Sequence, residues 1–463
     1  MARPRTLYSC TACGASSPKW AGQCGDCGAW NTLEEVRQTA VSPRQGAPAV
    51  RPRGQYAGDR GVQSLDAVTL TEEARYSTHI GELDRVLGGG LVEGGVILLG
   101  GDPGIGKSTL LLQTMSGLAA DGRALYVTGE ESIRQVALRA SRLGLPSAGL
   151  KVLAETCVEA IVEQALDEQP RIMVIDSIQT IFTEQLQSAP GGVAQVRESA
   201  AQLVRFAKQT GTTVFLVGHV TKDGQLAGPR VLEHMVDTVL YFESDGSSRF
   251  RLLRAVKNRF GAANELGVFA MDDSGLKEVR NPSAIFLSRH EEAVAGSVIM
   301  VTREGSRPLL LELQSLLSES PLGNPRRVAV GLDQNRVAML LAVLHRHGGV
   351  FTADQDVFIN VVGGVRVNET ASDLPVLLAA LSSLRERPLA SDCVVFGEVG
   401  LAGEIRPVPN GEERLREAAK HGFRRAIVPH KNVPKGKRHL EGLELIPVRR
   451  LSDAMDAAFS VGK

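Results

Sequence analysis

Residues 101 to 109 place glycine, lysine and serine at the spacing of a phosphate-binding loop. The pattern Gly101-x4-Gly106-Lys107-Ser108 lies between two apolar runs, as a loop joining a strand to a helix requires. In such a loop the backbone N–H groups surround phosphate oxygens, Lys107 reaches the β- and γ-phosphates, and the Ser108 hydroxyl ligates Mg²⁺. The sequence therefore predicts binding of ATP with Mg²⁺ by nine residues: Gly101, Asp102, Pro103, Gly104, Ile105, Gly106, Lys107, Ser108 and Thr109.

Polar residues follow three further apolar segments, where parallel strands would bring them to the same sheet edge as the loop. Asp176 ends the segment RIMVID and is predicted as the second Mg²⁺ ligand. Glu130 and Glu131 end another segment, and Glu130 is the preferred residue to polarise an attacking water because it leaves the strand first. His219 ends the third and is predicted to sense the γ-phosphate, although an ordinary polar residue at a strand end fits the pattern too.

Two CxxC pairs within the first thirty residues have the spacing of a tetrahedral zinc site. Gly14 and Gly28 follow the second cysteine of each pair, where a tight turn brings amides toward sulfur. Four thiolates leave no open position, so the metal would be structural. The predicted ligands are Cys10, Cys13, Cys24 and Cys27.

Two tryptophans and the two remaining cysteines are expected to have structural roles. Trp20 and Trp30 are the only large apolar residues expected to anchor so small a zinc module. Cys157 and Cys393 have no partner nearby in sequence, and both are expected to be buried thiols.

Four polar residues in two segments after the third strand are candidates for contact with DNA. Gln195 and Arg197 open an amphipathic helical stretch that follows a glycine-containing loop, and Lys222 and Arg230 lie in the segment after His219. Such side chains contact the nucleic-acid backbone in many proteins. A solvated helix start explains Gln195 and Arg197 equally well.

The short turn KNRFG, residues 257 to 261, combines two cations with an aromatic ring. Lys257 and Arg259 come at the end of an alternating stretch that predicts a strand, and Gly261 ends the turn. The cations suit a negative group such as phosphate. The alternative is a basic surface turn above a packed Phe260.

Length and composition indicate a folded, multidomain chain. Its 463 residues are 43% hydrophobic, enough for two or three domains with cores of their own. Lys plus Arg and Asp plus Glu both number 52, so any nucleic-acid surface must be local. The N-terminal residues lack a signal-peptide core and no apolar run reaches the length of a membrane span, so the expectation is a cytoplasmic protein without a membrane partner.

Three stretches together resemble the RadA (Sms) family of bacterial ATPases. They are STHIGELDRVLGGGLVEGGVILLGGDPGIGKSTLLLQ, the cysteine module PKWAGQCGDCGAWNTLEE, and KNRFG, which is a hallmark of that family. The resemblance runs nearly end to end. It implies a RecA-type ATPase core that acts in recombination and DNA repair and promotes branch migration of recombination intermediates.

The same resemblance implies partners and an assembly. The expected partners are single-stranded or branched DNA and the RecA recombinase, and the expected assembly is a homo-oligomer, a hexameric ring. RecA-type ATPases bind nucleotide between subunits, so Lys257 and Arg259 would complete the site of a neighbouring copy. Direct contact of the turn with DNA phosphate remains the alternative.

The C-terminal tract that includes VFINVVGGVRVNETASDLPVLLAALSSLRERPLASDCVVFGEVGLAGEIRPV resembles the proteolytic domain of Lon. A Lon protease uses a Ser–Lys dyad, but Ala371 stands where the nucleophile belongs and Glu412 where its lysine belongs. Ser372 lies one place away without a lysine partner, and a serine without a base is a poor nucleophile. The domain is therefore expected to be a scaffold, and its local basic patch is a candidate for DNA: Lys431, Lys435, Lys437 and Arg438.

These readings give an α/β architecture with four parts. They are a four-cysteine zinc module (1–32), a flexible basic linker (33–60), a RecA-like core with a doubly wound, mostly parallel sheet (61–285), and a Lon-like domain without its dyad (286–463). An ATP-dependent protease and a KaiC-like signalling ATPase stay open as alternatives. Proteolysis of a protein substrate would favour the first, and autophosphorylation without stimulation by DNA would favour the second.

Overall fold

A computed structural model describes most of the chain in two compact units. The described residues are 6–10, 16–25, 28–37, 74–120, 123–219, 231–244, 249–287, 293–321, 325–436 and 438–459. The first unit runs from Met1 to Val279 and the second from Arg280 to Lys463. The sequence placed this boundary between residues 285 and 286. The difference arises because the segment around Ser283 packs on the second unit, where the Ser283 hydroxyl accepts a hydrogen bond from the Leu310 N–H, 3.2 Å.

No helix within the described ranges is long and apolar enough to cross a bilayer.

The N-terminal module is a three-stranded antiparallel sheet in the order β2-β1-β3. Its strands are β1 (Thr6–Cys10), β2 (Ser16–Ser17) and β3 (Leu33–Arg37). Cys10, Cys24 and Leu33 form its small buried cluster, with Tyr8 against it. The prediction that Trp20 and Trp30 anchor the module is wrong, since these side chains are 58% and 70% exposed. A module this small has too little interior to enclose an indole.

The rest of the first unit alternates strands and helices before an antiparallel end. Its strands are β4 (Arg75–Tyr76), β5 (Leu91–Val92), β6 (Val96–Gly101), β7 (Ala124–Thr128), β8 (Leu150–Ala154), β9 (Ile172–Asp176), β10 (Thr213–His219), β11 (Thr238–Glu243), β12 (Phe250–Asn258), β13 (Leu266–Asp272) and β14 (Gly275–Glu278). Its helices are α1 (Gly81–Leu87), α2 (Lys107–Leu118), α3 (Ile133–Arg142), α4 (Val158–Glu168), α5 (Val193–Thr210) and α6 (Val231–Met235).

Nine of these strands form one sheet in the order β14-β13-β12-β11-β6-β10-β9-β7-β8. The six strands from β11 to β8 are parallel, and β12, β13 and β14 extend the sheet antiparallel. Strand β6 is buried at every position because α1 and α2 cover one face of the sheet while α4 and α5 cover the other. Such two-sided burial requires a continuous apolar run, which is why the sequence reads VILLGG here.

The second unit contains a mixed eight-stranded sheet in the order β17-β18-β16-β15-β19-β22-β24-β23. The strands of the unit are β15 (Ser297–Glu304), β16 (Arg307–Glu319), β17 (Arg327–Val330), β18 (Gln355–Val361), β19 (Cys393–Val395), β20 (Glu398–Val399), β21 (Ile405–Arg406), β22 (Arg425–Pro429), β23 (His439–Leu440) and β24 (Leu443–Val448). Its helices are α7 (Ser283–Phe286), α8 (Gln334–Gly348), α9 (Asp373–Leu384), α10 (Gly411–Lys420) and α11 (Leu451–Phe459).

A buried ion pair joins α10 to this sheet. The Arg414 guanidinium donates to both carboxylate oxygens of Glu369, at 2.8 and 2.6 Å, and to the Val301 carbonyl at 2.8 Å. Glu369 also accepts from the Thr302 hydroxyl. The Arg414 side chain is only 1% exposed, so its charge depends on these partners.

Replacing Arg414 with Met is expected to destabilise the second unit by about 3 kcal/mol, because the change leaves the Glu369 carboxylate without its buried cation. Hydrogen exchange of α10 amides in the full chain should accelerate by about a hundredfold. Arg416→Met is the matched control on the same helix, since that side chain is 57% exposed in its pair with Glu412. Equal exchange rates in the two variants would show that the buried pair contributes nothing to stability.

Candidate active site

The carboxyl ends of four adjacent strands meet at one edge of the nine-stranded sheet. In the parallel register His219 of β10 lies opposite Gly101 of β6, and Asp176 of β9 lies opposite Thr128 of β7. Ligands of doubly wound sheets bind at this edge. The fold thus brings the predicted loop, the two acidic segments and His219 to one place.

The predicted phosphate-binding loop has the open backbone that phosphate needs. Gly104 has φ +76°, and a Cβ there would meet nothing within 4 Å. Asp102, Pro103 and Gly104 are exposed, and α2 begins at Lys107 directly after the loop. This exposed run of backbone before a helix N-terminus fits a phosphate chain.

The Lys107 ammonium lies in the loop that it is predicted to serve. Its Nζ donates to the Gly101 carbonyl at 2.7 Å and to the Asp102 carbonyl at 2.9 Å. Burial lowers the pKa of Lys107, and the charges of Asp176, Asp102 and Glu130 partly oppose that effect. A buried cation whose two shortest hydrogen bonds in the described residues go to loop carbonyls is suited to exchange them for phosphate oxygens.

Neighbouring strands hold the loop in a way that the sequence did not indicate. The Arg251 Nε of β12 donates to the Ile105 carbonyl at 3.2 Å. A Cβ at Gly106 would lie 2.7 Å from the Met271 Cε of β13, and Gly106 has φ +119°. The antiparallel end of the sheet therefore supports the loop, and glycine is required where the loop turns into α2.

Asp176 presents one carboxylate oxygen for a cation. Its Oδ2 accepts a hydrogen bond from the Tyr126 hydroxyl, and no hydrogen bond to Oδ1 is found within the described residues. Burial and the charge of Asp176 hold the pKa of Tyr126 well above its usual value, so the phenol remains a donor. A carboxylate fixed in this way, at the same edge as the Ser108 hydroxyl, is a donor set that suits Mg²⁺.

Glu130 and Glu131 differ in their partners. The Glu130 Oε1 accepts from the Ser177 hydroxyl and lies 3.2 Å from the His219 Nε2. Glu131 is instead paired with the Arg139 guanidinium of α3. Burial alone would raise the pKa of Glu130, but the hydrogen bonds from Ser177 and His219 and the charge of Lys107 together outweigh it, and the net shift is downward. Glu130 is therefore held as a carboxylate beside the loop. Glu131 is turned toward α3, the helix that follows it in the chain.

His219 lies between the lysine of the loop and Glu130. Its Nδ1 is 3.4 Å from the Lys107 Nζ, and its Nε2 is 3.2 Å from the Glu130 Oε1. An ammonium can only donate, so in the neutral imidazole Nδ1 accepts and the proton is on Nε2. The ring thus links a phosphate-binding cation to a carboxylate through a defined tautomer.

The KNRFG turn lies at the opposite edge of the same sheet. Lys257 is opposite Val239, which is opposite Leu98 of β6, and the Arg259 N–H donates to the Asp237 carbonyl near Val96. Val96 is five residues before Gly101, which is about 17 Å along an extended strand. The cations of this turn cannot reach the phosphate-binding loop of their own chain.

The two cations of the turn have different surroundings. The Lys257 Nζ donates to the Glu233 and Val236 carbonyls, at 2.7 and 2.8 Å, at the end of α6. Arg259 is 58% exposed, and its guanidinium makes a long contact of 3.5 Å with Asp237. Arg259 is therefore the cation whose charge is available at the surface.

The backbone around Arg259 is fixed by close packing. A Cβ at Gly261 would lie 2.8 Å from the Gly88 Cα, and a Cβ at Gly88 would lie 2.9 Å from the Gly261 Cα. The Arg75 guanidinium donates to the Gly88 and Phe260 carbonyls and so joins the two chain segments. The Phe260 ring packs near Gly95.

The four residues predicted to contact DNA differ in their surroundings: one is buried, one is exposed, and two lie outside the described residues. Gln195 is 1% exposed, and its amide binds backbone groups of residues 183, 186 and 188, so this side chain is an internal clamp of the loop before α5. Its burial leaves no atom for DNA in this structure. Arg197 is exposed on α5. Lys222 and Arg230 lie outside the described residues.

Of the four predicted zinc ligands, Cys10 and Cys24 are described, and Cys13 and Cys27 are not. Both described thiols are nearly inaccessible, at 1% and 3% exposure. The Gly28 N–H donates to the Cys24 carbonyl at 2.9 Å, and Gly28 has φ +72°. This tight turn suits a CxxC ligand pair. Among the other thiols, Cys393 is buried as expected, while Cys157 is only partly buried.

The second unit lacks the chemistry of a serine protease at the positions that the Lon resemblance indicates. Ala371 is buried, and Glu412 is exposed and paired with Arg416. The Ser372 hydroxyl donates to the Glu369 carbonyl at 2.9 Å, and no lysine contacts it in the described part of the unit. Lys431, Lys435 and Arg438 of the basic patch are exposed, and Lys437 is outside the described residues.

Three family models match successive parts of the chain. Residues 8–35 match the rubredoxin metal binding domain, residues 63–225 match an AAA domain, and residues 326–432 match subunit ChlI of Mg-chelatase. Their order is that of the zinc module, the P-loop ATPase core and the Lon-like domain, so the predicted fold class is confirmed.

Curated relatives match over almost the whole length. The chain is 66% identical over 460 residues to the DNA repair protein RadA of Pseudomonas aeruginosa, covering 99% of this chain and 100% of the relative. It is 61% identical over 455 residues to that of Escherichia coli, with 98% of each covered, and 48% identical over 461 residues to that of Bacillus subtilis, with 98% of this chain and 99% of the relative covered.

Proposed function

Because the chain belongs to the RadA family of DNA repair proteins, we propose that it is a DNA-dependent ATPase that acts as a helicase-type motor in homologous recombination. The observation that carries the ATPase part of the proposal is the contact of Lys107, His219 and Glu130 at the carboxyl edge of a P-loop sheet, and the DNA part rests on the family. Such an arrangement of cation, imidazole and carboxylate serves hydrolysis of a nucleotide.

Each polar side chain at this edge has a proposed task. Lys107 moves from its loop carbonyls to the β- and γ-phosphates, and His219 senses the γ-phosphate through its link to Lys107. Ser108 and Asp176 would hold Mg²⁺, which when bound neutralises charge on the phosphates. Glu130 accepts a hydrogen bond from the attacking water and orients it toward phosphorus.

The site is proposed to be completed by a second copy of the chain. The Arg259 backbone lies beside Val96, and Val96 is about 17 Å from Gly101 along the strand, so the Arg259 charge is proposed to stabilise a γ-phosphoryl group in a neighbouring site rather than in its own. Lys257 stays a candidate for the same role, although its ammonium would first have to leave two carbonyls. A head-to-tail contact of this kind forms a ring when the rotation between copies closes, and a hexameric ring is the proposed form.

The proposed substrate is single-stranded or branched DNA in the bacterial cytoplasm. Arg197, Lys222 and Arg230 are the candidate phosphate contacts, and Gln195 is left out because it is buried. The motor would promote branch migration together with the RecA recombinase. Four thiolates would hold Zn²⁺ in the N-terminal module: Cys10, Cys13, Cys24 and Cys27.

The proposal is tested by measuring ATP hydrolysis by the intact protein with and without single-stranded DNA. We expect DNA to stimulate turnover several-fold, and Arg197→Ala to raise the half-saturating DNA concentration several-fold because one phosphate contact is lost. Arg134→Ala removes another exposed arginine, from α3, and should leave that concentration unchanged.

Two outcomes would reject the proposed motor. Hydrolysis that ignores DNA and is accompanied by phosphate on the protein itself would favour the KaiC-like alternative. Cleavage of a protein substrate that depends on Ser372 would favour the protease.

A further inference from the structure

The two oxygens of the Glu130 carboxylate have different surroundings. Its Oε1 receives the Ser177 hydroxyl and faces the His219 Nε2. No hydrogen bond to Oε2 is found within the described residues, and the side chain is 42% exposed. One oxygen is therefore anchored, while the other has no hydrogen-bond partner in the described part of the site.

Ser177 is held more firmly than the carboxylate that it contacts. It is 0% exposed and directly follows Asp176 at the end of β9. Its carbonyl accepts from both the N–H and the hydroxyl of Thr180, at 3.2 and 2.8 Å, in the 3-10 turn Ile178–Thr180. The Ser177 hydroxyl is thus a fixed donor on the rigid frame of the sheet.

The turn that carries Glu130 packs directly on the turn that follows Ser177. A Cβ at Gly129 would lie 2.1 Å from the Thr180 hydroxyl oxygen, and the Gly129 N–H donates to the Asp176 carbonyl at 2.8 Å. The distance between the two turns is therefore set by a backbone hydrogen bond and by the packing of the Thr180 side chain against Gly129. The hydrogen bond from the Ser177 hydroxyl to Glu130 joins these two turns, so its geometry is fixed as closely as their backbones are.

We propose that Ser177 is a positioning residue for hydrolysis, whose hydroxyl anchors Oε1 of Glu130 so that Oε2 is directed at the attacking water. The inference rests on the proposed role of Glu130 and extends it to a residue that neither the motifs nor the family matches assign. Without the hydroxyl, Glu130 rotates about its own side-chain bonds, and only His219 limits that rotation. Misalignment of a base by a fraction of an ångström slows proton transfer without weakening nucleotide binding.

Ser177→Ala is expected to lower kcat for ATP about tenfold while KM stays the same, since one of two anchors is lost. The half-activating Mg²⁺ concentration should not change, which separates this effect from damage to the neighbouring Asp176. In a Glu130→Gln background, Ser177→Ala should lower kcat no further, because the group that it positions is already gone. Ser199→Ala is the matched control: Ser199 is also 0% exposed, and its hydroxyl has no partner within the described residues.

The outcomes separate this inference from the function on which it rests. If Ser177→Ala keeps full turnover while Glu130→Gln loses it, Ser177 does not position the base and the inference is overturned alone. If Glu130→Gln itself keeps full turnover, the proposed role of Glu130 fails and the inference falls with it. An equal further loss in the Glu130→Gln background would show that Ser177 acts elsewhere.

Discussion

Mixing the Arg259→Ala and Glu130→Gln variants is expected to restore ATP hydrolysis that neither variant performs alone. Arg259→Ala should lower turnover about 10³-fold, the scale of a cation that stabilises charge on a transferring phosphoryl group. In a mixed ring, an Arg259→Ala copy supplies an intact Glu130, and its neighbour supplies an intact Arg259. With random mixing of equal amounts, about a quarter of the interfaces between neighbouring copies carry both intact residues.

In the matched control both substitutions affect the copy that carries the phosphate-binding loop. Mixing Lys107→Ala with Glu130→Gln leaves every site with one defective residue, so no activity should return. Co-assembly in both mixtures is checked by energy transfer between labelled copies. Failure of the first mixture despite co-assembly would show that Arg259 does not act across the interface between neighbouring copies, and recovery in the second would show that Lys107 and Glu130 do not share a site.

Glu130→Gln is expected to lower the single-turnover rate of ATP hydrolysis by about 10² to 10³, the scale of a lost general base. Nucleotide affinity should be retained, because the loop and Lys107 are unchanged. Glu131→Gln alters the next residue in the same way and should change the rate less than about threefold, since its carboxylate is paired with Arg139 on α3. A larger loss in Glu131→Gln than in Glu130→Gln would reverse the assignment of the two carboxylates.

The parts of the site that come from strand ends were predictable from the sequence. An apolar run followed by a polar residue indicates a buried parallel strand and its exit, and parallel strands share one carboxyl edge. That rule was enough to group Lys107, Glu130, Asp176 and His219, and the structure brings them together. Their catalytic roles stay predictions. Sequence order favours Glu130 over Glu131, and the different partners of the two carboxylates, Ser177 and Arg139, support the same choice.

What could not be predicted depends on burial set by distant segments. Gln195 lies in the first turn of an amphipathic helix, where the sequence suggests a surface residue. The loop before α5 nevertheless folds over it, and both the oxygen and the nitrogen of its amide make hydrogen bonds to that loop. Trp20 and Trp30 are expected inside on hydrophobicity alone, but their module has no room for them. Tyr126 and Ser177 support the two acidic residues through contacts between turns that only the packed sheet creates.

The Gly88 to Gly261 contact limits how this protein can change over generations. Each α-carbon occupies the space where the other residue would need a methyl group, and Gly88 also has φ +81°. Any replacement of either glycine adds a Cβ that would lie within 3 Å of the other α-carbon, so the two backbone segments next to Arg259 would have to move apart. Both positions are therefore restricted to glycine for as long as the two segments pack this closely.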